Sequence, residues 1–132
     1  MEFQNEVFSK ILSIEDYKNK FEEVIRILDK QNFKEVEILF GVAWGSTYKD
    51  WTPFKVPLCQ VAPEIQLAEQ LGEGRFGDDD FYIIVYEPQL EILFCHERDI
   101  HLRYNLDNLL AIDILARWNR EDLINAIKRS SG

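Results

Sequence analysis

A chain of 132 residues has room for one substantial core, and a composition 46% hydrophobic, 13% aromatic and 30% charged belongs to a folded domain, not a disordered segment. Its formal net charge of -9 argues against nucleic acid and anionic membranes as partners, since such a field repels both. No apolar run approaches membrane-spanning length, and MEFQNEVFSK lacks the basic and apolar regions of a signal peptide. The two cysteines, Cys59 and Cys95, are too few for a disulfide framework. We therefore expect a single domain over 1–132 in a reduced, cytoplasmic setting, with a bridge between the two cysteines left open.

The first third reads as helix. Phe3, Val7, Phe8, Ile11 and Leu12 recur at helical spacing, and Tyr17, Phe21, Val24, Ile25 and Leu28 do so again after Ser13. Ser13 with Asp16 resembles a capping box and sets a helix start. From Glu35 the period becomes two, with Val36, Ile38, Phe40 and Val42 on one side, which predicts a half-buried strand. The aromatic-rich segment from Trp44 to Pro57 is a structured loop leading to a short strand near Phe54 to Leu58. Pro63 suits the first turn of a short helix, with Ile65, Leu67, Ala68 and Leu71 as its apolar side and Gly72 as its stop.

The strongest strand signal is Phe81 to Tyr86 and Leu90 to Cys95, joined by Glu87-Pro88-Gln89: an antiparallel hairpin. Both runs are apolar on each face, which predicts a central hairpin covered above and below. Ile100 to Tyr104 follows as a strand, then helices over Asp107 to Trp118 and Glu121 to Arg129. Arg117, Arg120, Lys128 and Arg129 would then complement the negative carboxyl ends of those helices. This order predicts an α+β fold, a mainly antiparallel sheet of four or five strands packed by N-terminal and C-terminal helices.

The charge is unevenly spread. Between Glu64 and Glu97 stand nine acids against one base, Arg75, so that this window carries -8 of the formal -9. Gly72, Gly74 and Gly77 in the same window spell the dinucleotide pattern G-x-G-x-x-G, but a helix precedes it and a strand follows, and Asp78, Asp79 and Asp80 would repel phosphate. Those aspartates lack the spacing of a calcium loop, and neighbouring residues entering a strand diverge, so only Asp78 and Asp80 would converge. No cofactor and no resident metal is expected.

Both histidines of the chain lie in Cys95-His96-Glu97-Arg98-Asp99-Ile100-His101, which is the one place where nucleophile, base and orienting acid types occur together. Asp99, His101 and Arg103 would share a strand face, where Asp99 could fix the imidazole tautomer. Cys95, His96, Asp99 and His101 are thus a candidate active-site or metal cluster, set against the plainer reading of an ion-paired turn with a buried thiol. Trp44, Tyr48, Trp51 and Phe54 either plug the sheet or, exposed, form a sugar-stacking or protein-contact surface, the latter for an adaptor or a second copy of the chain. Ser46 is not an esterase nucleophile, because the strand-turn-helix context of G-x-S-x-G is missing.

With GDDDFYIIVYEPQLEILFCHERDIHL at its centre, this small acidic α+β chain resembles the cytosolic immunity proteins of bacterial polymorphic-toxin and contact-dependent inhibition systems. The resemblance implies a stoichiometric, non-catalytic inhibitor that covers a basic toxin or nuclease domain. Complementary charge would speed association and select that partner. On this reading Glu73, Asp78, Asp79, Asp80, Glu97 and Asp99 contact arginine and lysine side chains.

Overall fold

The structure, a computed structural model, describes residues 3–45, 48–105 and 107–129. Among the described residues, seven strands form one sheet in the order β3-β2-β4-β5-β6-β1-β7, with every neighbouring pair antiparallel. The strands are β1 (Asn5–Ser9), β2 (Glu35–Phe40), β3 (Phe54–Pro57), β4 (Phe81–Tyr86), β5 (Gln89–Phe94), β6 (Ile100–Tyr104) and β7 (Ile124–Arg129). Three helices complete the fold: α1 (Ile14–Lys30), α2 (Val61–Gln70) and α3 (Leu109–Arg120).

The expected four or five strands are corrected to seven, because two segments read as helix are strands. In β1, Asn5, Val7 and Ser9 point inward and are buried. The polar inward residues hide the period of two, leaving Phe3, Val7 and Phe8 to imitate a helical face. Ser9 Oγ is satisfied in the interior, accepting from Ile100 N at 2.8 Å and donating to Lys10 O at 2.9 Å. In β7, five of six residues are exposed, and Ile124 and Ile127 happen to fall three apart. It is an edge strand paired only with β1, so no alternating apolar face was required of it. Lys128 and Arg129 therefore sit on a strand, while Arg117 and Arg120 do occupy the last turn of α3.

Elsewhere local chemistry accounts for the elements. Ser13 Oγ accepts from Asp16 N at 3.1 Å and starts α1. Asn108 caps α3 by accepting from Ala111 N at 3.0 Å, while its amide donates to Gln89 O at 2.8 Å and so ties the helix to the sheet. In α2, Val61, Ile65 and Ala68 face the core, but Leu67 and Leu71, expected on that side, are exposed.

The strands divide their side chains between two unlike faces. Inward are Val7, Val36, Ile38, Phe40, Val56, Phe81, Ile83, Val85, Leu90, Ile92, Phe94, Ile100 and Leu102, all in one cluster with the buried residues of α1, α2 and α3. Aromatic rings crowd one end of it, with Tyr17, Phe21, Phe76, Phe81 and Phe94 in mutual contact and Phe40 edge-on to Trp44 at 4.9 Å. The opposite face carries Glu6, Phe8, Tyr82, Ile84, Glu91, Leu93, His101 and Arg103, with Cys95 continuing it just past β5. As expected of a central hairpin, its outward residues Ile84, Leu93 and Cys95 are buried too, although they stand outside the core cluster.

Candidate functional site

Hairpin geometry brings two of the sequence candidates to one end of the sheet. Residues 71–80 lead into β4 and residues 95–99 connect β5 to β6, so both lie where Phe81 pairs with Phe94. Asp80 joins them. One of its oxygens accepts from His96 N at 2.7 Å and stands 2.9 Å from His96 Nδ1. Arg98 adds a second link to Asp78 at 3.2 Å.

Packing accounts for two of the three glycines, while Gly72 lies in open space with φ +75. Gly77 has φ +100, and a Cβ there would meet Ile14 Cδ1 at 2.4 Å; a Cβ on Gly74 would strike the buried Trp44 ring at 2.7 Å. With α2 before it and β4 after it, the motif has the wrong order for a pyrophosphate site. The turn at 41–45 closes the same end, because Gly41 N and Trp44 Nε1 both donate to Asp80 O and Gly45 N donates to Glu73 O.

The three aspartates therefore have separate tasks. Asp79 accepts from Arg75 N at 2.8 Å, Asp80 holds the His96 turn, and Asp78 remains half-exposed at the rim with Arg98. Glu97 is exposed, Glu73 half-buried, and Asp99 mostly enclosed. The wider acidic window is only partly gathered: Glu69, at the end of α2, accepts from Phe76 N at 3.1 Å and so stands with the loop, whereas Glu64 lies further back on α2, Glu87 sits at the far turn of the hairpin, and Glu91 is on the outer face beside Arg103 at 3.5 Å. Six acids, Glu69, Glu73, Asp78, Asp79, Asp80 and Glu97, do gather at one end.

That end also carries apolar groups the sequence reading left inside. Val42 and Leu71 are 73% and 60% exposed, on the two segments joined through Gly45 and Glu73. Of the aromatic loop, Trp44 is wholly buried, Tyr48 and Phe54 pack on Phe40, and Trp51 is exposed. Ser46 lies outside the described residues.

The Cys95 to His101 segment forms a compact turn. Arg98 N donates to Cys95 O and Cys95 N to Asp99 O, each at 3.0 Å, with Arg98 at φ 67. This sets Cys95 opposite Asp99, and the strand pleat then puts His101 on the same outer face. His101 Nε2 is 2.7 Å from Asp99 Oδ2, and Phe8 meets the imidazole edge-on at 4.6 Å. Glu6 continues the network, 2.7 Å from Arg103 Nε and 3.6 Å from His101 Nδ1. The sequence reading missed Glu6, because a segment read as helix gave no reason to set it beside residue 101.

Burial pushes the Cys95 thiol up to about 12, and the carboxylates of Asp99 and Asp80 add to the rise. A thiol so placed is not an activated nucleophile at neutral pH. Cys59 and Cys95 are both free, the first exposed and the second buried. His96 is raised above the usual imidazole range, chiefly by its hydrogen bond to Asp80.

No helix among the described residues is long and apolar enough to cross a membrane. Compared with protein-family models, curated proteins and solved structures, the chain matches none.

Proposed function

We propose that this protein is a non-catalytic binding domain that covers a basic surface of another protein, acting as an immunity-type inhibitor of a toxin or nuclease domain. The observation that carries this reading is the mixed surface at the acidic end. Asp78 and Glu97 offer exposed carboxylates on a loop and turn held by the Asp80–His96 and Asp78–Arg98 links. Val42 and Leu71 supply apolar groups beside Glu73. Apolar anchors within a charged border suit a specific protein interface, and fixed carboxylates meet a cationic partner at little ordering cost. The same charge disfavours nucleic acid and anionic lipid.

The test begins with the tagged full chain and proteins retained from its native host at low and then high salt. Zero-length carboxyl-to-amine cross-linking then locates the contact on the complex. Cross-links from Asp78, Glu97 or Glu73 to partner lysines are expected, and Asp78→Asn with Glu97→Gln should slow association about tenfold at low salt. Asp80 is unsuitable as a probe, since its loss would loosen the turn itself. Cross-links confined to Glu87 at the far end, or unchanged association kinetics, would remove this surface from the interaction.

A further inference from the structure

We propose that Cys95, Asp99 and His101 form a zinc-class metal site on the outer face of the sheet, with Glu6 as the hydrogen-bond partner of the ligating histidine. The site does not depend on the protein-binding reading.

Three observations carry it. First, one ligand atom from each of Cys95, Asp99 and His101 lies within 4.8 Å of the other two. A thiolate, a carboxylate and an imidazole together suit zinc and its analogues, whereas calcium and magnesium favour oxygen alone.

Second, two polar atoms of this triad are enclosed and lack a hydrogen-bond partner of their own. Asp99 Oδ1 and His101 Nδ1 are shielded from solvent and have no hydrogen-bond partner among the described residues. An enclosed carboxylate with one oxygen lacking a donor carries a desolvation cost, and a divalent charge bound to that carboxylate would offset it.

Third, the surroundings of His101 are those of a metal-bound imidazole. In the neutral ring with its proton on Nε2 towards Asp99 Oδ2, Nδ1 and the Glu6 carboxylate would be two acceptors set against each other at 3.6 Å. If Nε2 instead binds metal, its proton resides on Nδ1 and points at Glu6 Oε2. That is the carboxylate–histidine–metal arrangement that usually orients such ligands. Arg103 holds Glu6 from the other side at 2.7 Å, and Phe8 limits rotation of the ring. The Asp99 and His101 ligand atoms, now 2.7 Å apart, need only separate to the ~3.3 Å that two ligands at zinc bond lengths subtend. The Cys95 proton is released to solvent when the thiolate binds, the thiol being deprotonated by the metal itself.

A second triad, Asp80, Cys95 and His96, shares the sulfur. Its Asp80 Oδ1 is already engaged twice by His96, and that imidazole is 56% exposed, so the triad lacks the waiting acceptors of the first.

Cobalt(II) is the probe. Titrated into the chelator-treated full chain, it should bind once per chain and give a near-ultraviolet thiolate-to-cobalt charge-transfer band that zinc abolishes on displacement. The band should vanish in Cys95→Ser and persist in Cys59→Ser, whose thiol is remote and exposed. His101→Gln should weaken binding more than Glu6→Gln, which should cost roughly 10-fold or more while keeping the band. A wild-type protein that shows no thiolate band overturns the proposal without recourse to any variant. So does a band that survives Cys95→Ser and is lost in Cys59→Ser.

Discussion

The two faces of the sheet are built from the same strands and differ in almost everything else. Along β5, Leu90, Ile92 and Phe94 point into the helix-covered interior, while Glu91, Leu93 and Cys95 point out; along β6, Ile100 and Leu102 oppose His101 and Arg103 in the same way. Inward positions of the central strands are alike in kind, since any well-fitted apolar side chain would fill them, Asn5 and Ser9 of β1 being the polar exceptions. Outward positions are specific: Glu6, Glu91, Asp99, His101 and Arg103 form a continuous polar network in which each charge has a particular neighbour. Stability is therefore concentrated on one face and chemistry on the other.

The sharpest way to break that division is to truncate matched residues. Phe94→Ala, in the aromatic interior, should lower unfolding stability by about 3–5 kcal/mol in urea denaturation, and Tyr82→Ala on the outer face by much less. Equal losses would mean that the outer face carries core-like packing. Thiol labelling tests the same contrast. In chelator at neutral pH, Cys59 should react promptly and Cys95 at least about a hundredfold more slowly, with both reacting once the protein is unfolded. Two fast thiols would contradict the enclosed position of Cys95.

A smaller effect is expected within the polar network. Glu6→Gln should cost about 1 kcal/mol, and a double-mutant cycle with Arg103→Ala should show coupling, because the pair is 2.7 Å apart and partly enclosed. Additive losses would make the network a set of independent surface charges.

The smallest effect concerns His96. Asp80 raises its folded value, so the link stabilises the fold fully below the unfolded histidine value of about 6.5 and loses that contribution as pH rises through the higher folded value. With 56% of the imidazole exposed, the change in urea midpoint across this window should be slight. His96→Gln should flatten it; the opposite slope would show that Asp80 does not act on this histidine.

The contrast between faces also explains what could be read from the chain. The hairpin, β6, α1 with its Ser13 cap and the strand at Glu35 follow from period and capping, because their inward positions are apolar without interruption. β1 and β7 did not follow. Asn5 and Ser9 place polar groups inward, and β7 faces solvent along nearly its whole length, so neither shows an apolar alternation. Of the site, Asp99 with His101 was legible from spacing along one strand. Their approach to Glu6 required the pairing of β1 with β6, which joins residues about a hundred positions apart and leaves no local mark. The division of labour among Asp78, Asp79 and Asp80 was likewise set by partners at 75, 96 and 98.

The position of β1 between β6 and β7 has a consequence for folding order. Both ladders of β1 join it to strands roughly a hundred residues downstream, and β7 has no other neighbour. Closing so long a loop carries an entropic cost before any pairing offsets it. The local β4–β5 hairpin and its pairing to β6 can form first as a template. β1 must then arrive from far upstream before β7 has anything to dock on, so sheet assembly should finish at the β1–β7 edge and native-state opening should begin there.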